Sequence, residues 1–118
     1  MARSVLVVDD DSYFRQLAIG LLRSWGHDVA GEAGSAAEAV DAITTLRPDT
    51  ILIDIGLPDG DGLELALQMS ALPWQPQILL ISADADAVSD SDARRAGAVG
   101  FVPKVEVTGL QFRRMLDD

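Results

Sequence analysis

The chain has 118 residues, the length of one ordinary domain, and its 19 acidic against 9 basic residues give a net charge of -10. A surface this acidic repels phosphate backbones and anionic lipids, so we do not expect the chain by itself to bind nucleic acid or a membrane. Cysteine is absent, which excludes disulfides and thiolate metal sites, and short apolar runs without a recognisable secretory signal predict a soluble, cytoplasmic protein.

The first predicted unit is a buried strand followed by a helix. The apolar run Ser4–Val8 ends abruptly in Asp9–Asp11, a pattern typical of a strand buried on both faces of a parallel sheet. From Ser12 onward apolar residues recur at helical spacing, and Gly26 follows at a position where helix ends prefer glycine. The predicted inner face of this helix consists of Phe14, Ala18, Leu21, Leu22 and Trp25.

The second unit combines a short strand, Asp28–Glu32, with a helix that has a clear start signal. Ser35 is followed three residues later by Glu38, which is the pattern of a capping box. Pro48 comes after the predicted end of this helix, where proline is common. The predicted inner face consists of Ala39, Ile43 and Leu46.

The rest of the chain repeats the alternation of strand and helix. A strand at Thr50–Ile53 leads through the turn-rich loop 54–62 into a helix. A strand at Gln77–Ile81 leads through a short loop into a helix that ends near Gly97. The third helix is predicted to bury Leu63, Ala66 and Leu67, the last strand is Val99–Val102, and the last helix is predicted to bury Phe112, Met115 and Leu116.

This alternation, without any hairpin signal, predicts the fold class. Right-handed crossovers between parallel strands place helices on both faces of a sheet, so we expect a single α/β domain with a doubly wound parallel sheet. No repeat, low-complexity tract or linker divides the sequence, and we expect one domain over residues 1–118.

Polar residues that carry chemistry follow four of the five predicted strands. Parallel strands end at one edge of the sheet, where α/β proteins bind ligands, so we expect these residues to converge there. Converging carboxylates repel one another, so either some of them hold protons or a hard cation that prefers oxygen ligands, such as Mg2+, neutralises them. The residues are Asp9 and Asp10, Asp54, Ser82 and Asp84, and Lys104, which is the only lysine in the chain.

A cation beside a carboxylate, a hydroxyl and an ammonium group suits phosphoryl transfer. The oxygens of a transferring phosphoryl group need positive charge from several directions. An ionised aspartate can act as the nucleophile and form an aspartyl phosphate, a labile acyl phosphate that water reverses.

These residues and their neighbours resemble the receiver domains of two-component response regulators, over essentially the whole chain. Each motif alone is weak, but together, in order and at these spacings, they are strongly specific. The motifs are Val7-Val8-Asp9-Asp10-Asp11, Leu52-Ile53-Asp54, Leu57-Pro58, Asp61-Gly62, Ile81-Ser82-Ala83, and Gly97-Ala98 leading to Phe101 and Lys104.

The resemblance implies a flavodoxin-like fold with five strands in the order 2-1-3-4-5, and a role for each residue of the site. Asp54 is implied to accept the phosphoryl group, with Lys104 pairing with the phosphoryl oxygens and Ser82 hydrogen-bonding one of them. Mg2+ is implied to bind Asp10, Asp54 and the carbonyl oxygen of Gly56, and Asp9 largely through water. Phe101 takes the place of the aromatic switch residue, and Gly56 and Asp84 tune dephosphorylation.

The family also implies partners. A sensor histidine kinase or phosphotransfer protein would supply the phosphoryl group, and an output domain or partner protein would read the face formed by the fourth helix, fifth strand and last helix. Homodimerisation on phosphorylation is compatible with this, and the domain is an acceptor that phosphorylates and dephosphorylates itself with Mg2+ rather than an enzyme. Phe101 stands where many relatives carry tyrosine, so a phenolic hydrogen bond is excluded.

A small phosphatase resembling the haloacid dehalogenase superfamily is the main alternative. There Asp9 would be the nucleophile and Asp11 the general acid, but Tyr13 does not fit that pattern and Asp54 would have no role. A degenerate receiver that only binds partners is disfavoured because the acidic pair, acceptor, hydroxyl and lysine are all present. A dinucleotide-binding domain is disfavoured because aspartates occupy the loop where a phosphate cradle needs glycines.

Other polar and aromatic residues receive structural roles. Asp11, Asp59, Asp61, Asp90 and Asp92 are interpreted as caps, turn residues or solubilising charges. His27 is expected to be solvated, and Trp74 is expected to anchor a loop.

Overall fold

Five strands and five helices alternate in the computed structural model, which describes residues 3–117. The strands are β1 (Ser4–Val8), β2 (Asp28–Ala33), β3 (Thr50–Asp54), β4 (Gln77–Ser82) and β5 (Gly100–Pro103). The helices are α1 (Ser12–Ser24), α2 (Ala36–Leu46), α3 (Gly62–Ser70), α4 (Asp90–Arg95) and α5 (Leu110–Asp117), with a 3₁₀ turn at Lys104–Glu106. All strand pairs are parallel in the order β2-β1-β3-β4-β5, which confirms the predicted fold class.

The sheet separates two hydrophobic layers. Val5 and Val7 of β1 pack on one face with α1 and α5, whereas Leu6 and Val8 pack on the opposite face with α2, α3 and α4. Burial of one such side chain contributes about 1.5–3 kcal/mol, and both layers are continuous across the sheet. The strands are therefore rigidly held, and their ends provide fixed positions for side chains.

Side chains at the helix starts confirm several sequence predictions. Ser35 Oγ accepts a hydrogen bond from the backbone N–H of Glu38, and Asp61 caps α3 by accepting from Leu63. The carboxylate of Glu38 accepts from the N–H of Gly34 rather than from that of Ser35, so the capping box is closed one residue earlier than its usual form.

The predicted inner faces are partly wrong. Leu67 is 55% exposed and Leu46 is 38% exposed, although both were expected to be buried. In α3 the buried stripe consists of Leu65, Ala66 and Met69. Apolar residues occur on more than one side of this short helix, and only one side can face the core. The orientation of the helix on the sheet therefore decides which of them are buried.

The prediction for His27 is wrong, because the side chain is buried between the start of the sheet and the end of α5. Its Nδ1 accepts a hydrogen bond of 3.0 Å from the backbone N–H of Arg3, and its Nε2 lies 3.5 Å from Asp117 Oδ1. The Trp74 prediction is confirmed, since its indole N–H donates to the carbonyl of Pro48 at 3.0 Å.

Between residues 3 and 117, no helix has both the length and the apolar character needed to cross a membrane.

Candidate functional site

Three carboxylates meet at the carboxyl edge of the sheet. Asp9 directly follows β1, and Asp54 is the last residue of the neighbouring strand β3. Both are buried, whereas Asp10 is exposed. One carboxylate oxygen of each of the three residues lies within 4.8 Å of the others, so the predicted acidic cluster is assembled.

The backbone N–H and both carboxylate oxygens of Asp9 make polar contacts. Its backbone N–H donates to the carbonyl of Ala33, and its Oδ1 accepts from the N–H of Asp11 at 2.9 Å. Its Oδ2 lies 2.7 Å from the Nζ of Lys104. Burial raises the pKa of Asp9, and the nearby charge of Asp54 adds to this, although Lys104 and the Asp11 N–H act in the opposite direction.

Lys104, which follows the edge strand β5, brings a positive charge to the cluster. It begins the 3₁₀ turn after β5, and its Nζ lies 3.5 Å from Asp54 Oδ2 and 4.6 Å from the centre of the Phe14 ring. Burial disfavours the charged ammonium, but the ion pairs with Asp9 and Asp54 outweigh burial and raise the pKa of Lys104. The amine is therefore protonated at neutral pH.

The donor set fits a hard divalent cation. One ammonium cannot neutralise three ionised carboxylates, and oxygen ligands without imidazole or thiolate favour Mg2+ or Ca2+. In the part of the chain that the structure describes, the Asp10 carboxylate makes no hydrogen bond or ion pair, so its oxygens are available as ligands.

The loop after β3 packs against the carboxylate of Asp54, whose side chain is 8% exposed. The backbone N–H of Gly56 donates to Asp54 Oδ1 at 3.1 Å, and a Cβ at Gly56 would lie 4.0 Å from that same oxygen. A side chain at this position would therefore begin at van der Waals distance from the carboxylate.

Ser82 and Asp84 lie at the end of β4, next to β3. Ser82 is buried and its Oγ accepts a hydrogen bond of 3.0 Å from the N–H of Asp84. The Asp84 carboxylate accepts from the N–H of Asp86 and is exposed. The Ser82 hydroxyl keeps its proton free to donate, because an accepted hydrogen bond uses only a lone pair.

Phe101 lies in β5 and is 8% exposed. It packs in the layer shared with α2, α3 and α4, and therefore takes the inward position. A phenylalanine has no hydroxyl to satisfy, so burial costs it no hydrogen bond.

Three residues around the site make contacts that were not predicted from the sequence. Gly62 packs so closely on the end of β3 that a Cβ would lie 2.5 Å from the Cα of Ile55 and 2.6 Å from the carbonyl oxygen of Asp54. Asp59 was interpreted as a cap, a turn residue or a solubilising charge, and its two carboxylate oxygens accept hydrogen bonds from the N–H groups of Ala36 and Ala37 at the start of α2, a helix distant from it in sequence. Only Gly62 carried a signal, through the Asp61-Gly62 motif.

Arg15 is the third of these residues. Its Nη1 donates to the backbone carbonyl oxygen of Asp9 at 2.6 Å, and its Nε donates to Glu32 Oε1 at 2.7 Å. The Arg15 side chain is only 18% exposed, so it lies packed beside the site and is largely shielded from solvent.

The geometry disfavours the phosphatase alternative. Asp11 caps α1, with its carboxylate accepting hydrogen bonds from the N–H groups of Tyr13 and Phe14. That carboxylate is occupied at the helix start and is poorly placed to act as a general acid for a nucleophile at Asp9. Asp9 itself is buried and paired with Lys104, which weakens it as a nucleophile.

Comparison with known proteins identifies the family. Residues 5–111 match the model of the response regulator receiver domain. The chain is 38% identical over 116 residues to the DNA-binding transcriptional activator DevR/DosR of Mycobacterium tuberculosis, covering 97% of this chain and 52% of that protein. It is 31% identical over 104 residues to the chemotaxis protein CheY of Thermotoga maritima, covering 88% of this chain and 87% of that protein.

Solved structures agree with this assignment. The crystal structure of NtrX from Brucella abortus superposes with a TM-score of 0.83 at 29% identity, over 99% of this chain and 27% of that one. The chain thus spans about half the length of DevR/DosR and a smaller share of NtrX, but most of the length of CheY. Motifs, strand order and family model all agree, and the chain belongs to the response regulator receiver family.

Proposed function

We propose that this chain, as a receiver domain over residues 1–118, accepts a phosphoryl group on Asp54 in the presence of Mg2+. The observation that carries the proposal is the position of the Asp54 carboxylate at the end of a buried strand, where it lies within 4.8 Å of the acidic pair and 3.5 Å from the ammonium group of Lys104. No other carboxylate in the described range 3–117 lies beside both groups without itself being fully buried.

The chemistry follows from a nucleophilic carboxylate. A carboxylate oxygen of Asp54 attacks the phosphorus of a phosphohistidine, a P–O bond forms and the P–N bond breaks. The displaced imidazole nitrogen takes up a proton from solvent. The product is an acyl phosphate, and attack of water on its phosphorus returns the carboxylate and inorganic phosphate.

Mg2+ would be held by Asp10, Asp54 and the carbonyl oxygen of Gly56, with Asp9 contributing largely through water. When bound, the ion neutralises negative charge on the phosphoryl oxygens as they approach the carboxylates. The proposal is supported by the all-oxygen donor set and by the Asp10 carboxylate, which has no partner among residues 3–117.

Ser82, Lys104 and Phe101 would form the switch. Ser82 and Lys104 donate to the phosphoryl oxygens, and a phosphoryl group shifts the conformation only because these contacts are missing without it. Movement of Ser82 toward Asp54 changes the space beside Phe101 and the surface formed by α4, β5 and α5. Gly56, whose N–H donates to Asp54, and Asp84 in the loop after β4 would tune the rate at which water removes the phosphoryl group.

The proposed donor is a sensor histidine kinase or a phosphotransfer protein, and the proposed receiver of the signal is an output domain or partner protein that reads the α4-β5-α5 surface. DevR/DosR is a DNA-binding transcriptional activator, so a transcriptional output is one candidate for this chain. Reaction with an ATP-dependent kinase would place the protein in the cytoplasm.

Phosphorylation with a small donor tests the assignment. The protein is incubated with acetyl phosphate and MgCl2, and peptides are mapped by mass spectrometry at acidic pH, where acyl phosphates survive. We expect one modified residue, Asp54, and no modification of Asp54→Asn. A phosphoryl group mapped to Asp9 would refute the proposal and support the phosphatase alternative.

A further inference from the structure

The Asp10 carboxylate depends on its backbone for its position. It is exposed, and within residues 3–117 no side chain or backbone group holds it. Its two neighbours are both fixed, because Asp9 is locked by its ion pair and Asp11 caps α1. The peptide group that joins Asp9 to Asp10 therefore determines where the Asp10 side chain begins.

That peptide group is hydrogen-bonded to Arg15. The Nη1 of Arg15 donates to its carbonyl oxygen at 2.6 Å, a short charge-assisted hydrogen bond. The Nε of the same guanidinium donates to Glu32 Oε1 at 2.7 Å, and the amide of Gln16 lies 3.4 Å from both oxygens of that carboxylate. The planar guanidinium thus connects the loop after β1 to the end of β2 in one fixed orientation.

The packing around Arg15 leaves it little freedom. A Cβ at Gly34 would lie 3.4 Å from Arg15 Nη1, so the guanidinium packs closely beside the backbone of Gly34. The side chain is 18% exposed, compared with 78% for Arg95. Arg15 is thus far less solvated than an ordinary surface arginine.

We infer that Arg15 is a positioning residue for the metal site, which orients the Asp9–Asp10 peptide so that the Asp10 carboxylate points at the cation. The inference rests on the proposed function, since it requires Asp10 to be a Mg2+ ligand. The positioning role and the positive charge of Arg15 have opposite expected effects on the affinity for Mg2+. A cation near three carboxylates repels Mg2+, so removing Arg15 on electrostatic grounds alone would tighten Mg2+ binding.

Mg2+ titrations at fixed ionic strength separate the two effects. Binding is followed through the backbone amide shifts of residues 9–11 and 54–56 in the parent and in Arg15→Gln, Arg15→Lys and Arg23→Gln. We expect Arg15→Gln to raise the Kd for Mg2+ about 10-fold, as loss of an outer partner of a metal ligand does. Arg15→Lys retains the charge but cannot make both contacts, and its Kd should lie between those of the parent and Arg15→Gln.

Arg23→Gln is the matched control, because it removes the same charge from an exposed position at the other end of α1 and should not weaken binding. The unfolding midpoint of each variant without Mg2+ is measured alongside. If Arg15→Gln does not fold, Arg15→Lys decides the question. Weaker binding by a folded Arg15 variant, with unchanged Arg23→Gln, supports the inference.

Two outcomes overturn the inference and can be told apart. A parent that binds Mg2+, with Arg15 variants that bind it equally well or more tightly, refutes the positioning role and leaves the proposed function intact. A parent whose amides at residues 9–11 and 54–56 do not respond to Mg2+ refutes the metal site itself, and the inference with it.

Discussion

The Nζ of Lys104 and the Oδ2 of Asp9 are 2.7 Å apart, although the strands that precede these residues, β5 and β1, are separated by two others. The ion pair therefore spans the ends of four of the five strands and compensates a carboxylate with no exposed surface. A phosphoryl group on Asp54, whose Oδ2 is 3.5 Å from the same ammonium, would compete with Asp9 for it. This competition is a direct way in which phosphorylation could alter the loop after β5.

Lys104→Arg should still be phosphorylated but should switch incompletely. Mg2+ already neutralises much of the phosphoryl charge, whereas a planar guanidinium cannot reproduce the contacts of a compact ammonium. Amide shifts of the region Ala83 to Leu110 are compared with and without beryllofluoride in the parent, Lys104→Arg and Ser82→Ala. Full parental shifts in both variants would show that the proposed coupling route is wrong.

Asp10→Asn should weaken Mg2+ binding and, without Mg2+, stabilise the fold. The first effect reflects a lost ligand, and the second reflects reduced repulsion with Asp9 and Asp54. Because Asp10 is exposed, screening should keep the gain below about 1 kcal/mol. Urea midpoints with and without MgCl2 measure both effects, and a metal-free variant less stable than the parent would contradict the repulsion argument.

Asp59→Ala should destabilise the protein in a pH-dependent way. The pKa of Asp59 is lowered because the N–H groups of Ala36 and Ala37 donate to its carboxylate. Its stabilising effect is thus present above the ordinary value of 3.8 and is lost as the pH falls through the lower folded-state value.

Urea unfolding at pH 7 and at pH 3 or below checks this prediction. The difference between the parent and Asp59→Ala should be larger at pH 7 and shrink in acid. Asp41→Ala removes an exposed carboxylate from α2 that has no hydrogen-bond partner within the described residues, and it should not destabilise at either pH. An Asp59→Ala protein as stable as the parent at pH 7 would show that the hydrogen bonds between the β3–α3 loop and the start of α2 do not stabilise the fold.

Gly62→Ala and Gly20→Ala should change stability in opposite directions. A methyl group at Gly62 meets the backbone of Asp54 and Ile55, which cannot yield easily, and we expect a loss of about 1–3 kcal/mol or more. A methyl group at Gly20 meets nothing within 4 Å, and in a helix interior it should add about 0.5–1 kcal/mol. Thermal unfolding measures both, and a Gly62→Ala protein as stable as the parent would show that the loop relaxes freely.

The sequence by itself determined the order of elements, the fold class and the acidic edge of the sheet. These follow from local patterns, since buried parallel strands need continuous apolar runs and the residue after each strand must lie at one edge. The positions of Asp9, Asp54 and Lys104 at that edge, and the caps at Ser35 and Asp61, could therefore be predicted.

Only the tertiary structure decided which distant groups meet. His27 is buried because the end of α5 packs over it, and Asp59 binds the start of α2 because two loops lie side by side. Arg15 reaches the Asp9 carbonyl and Glu32 because α1 crosses the ends of two neighbouring strands. A single sequence has no local pattern for such contacts, since they depend on the relative placement of elements that packing of the whole core establishes.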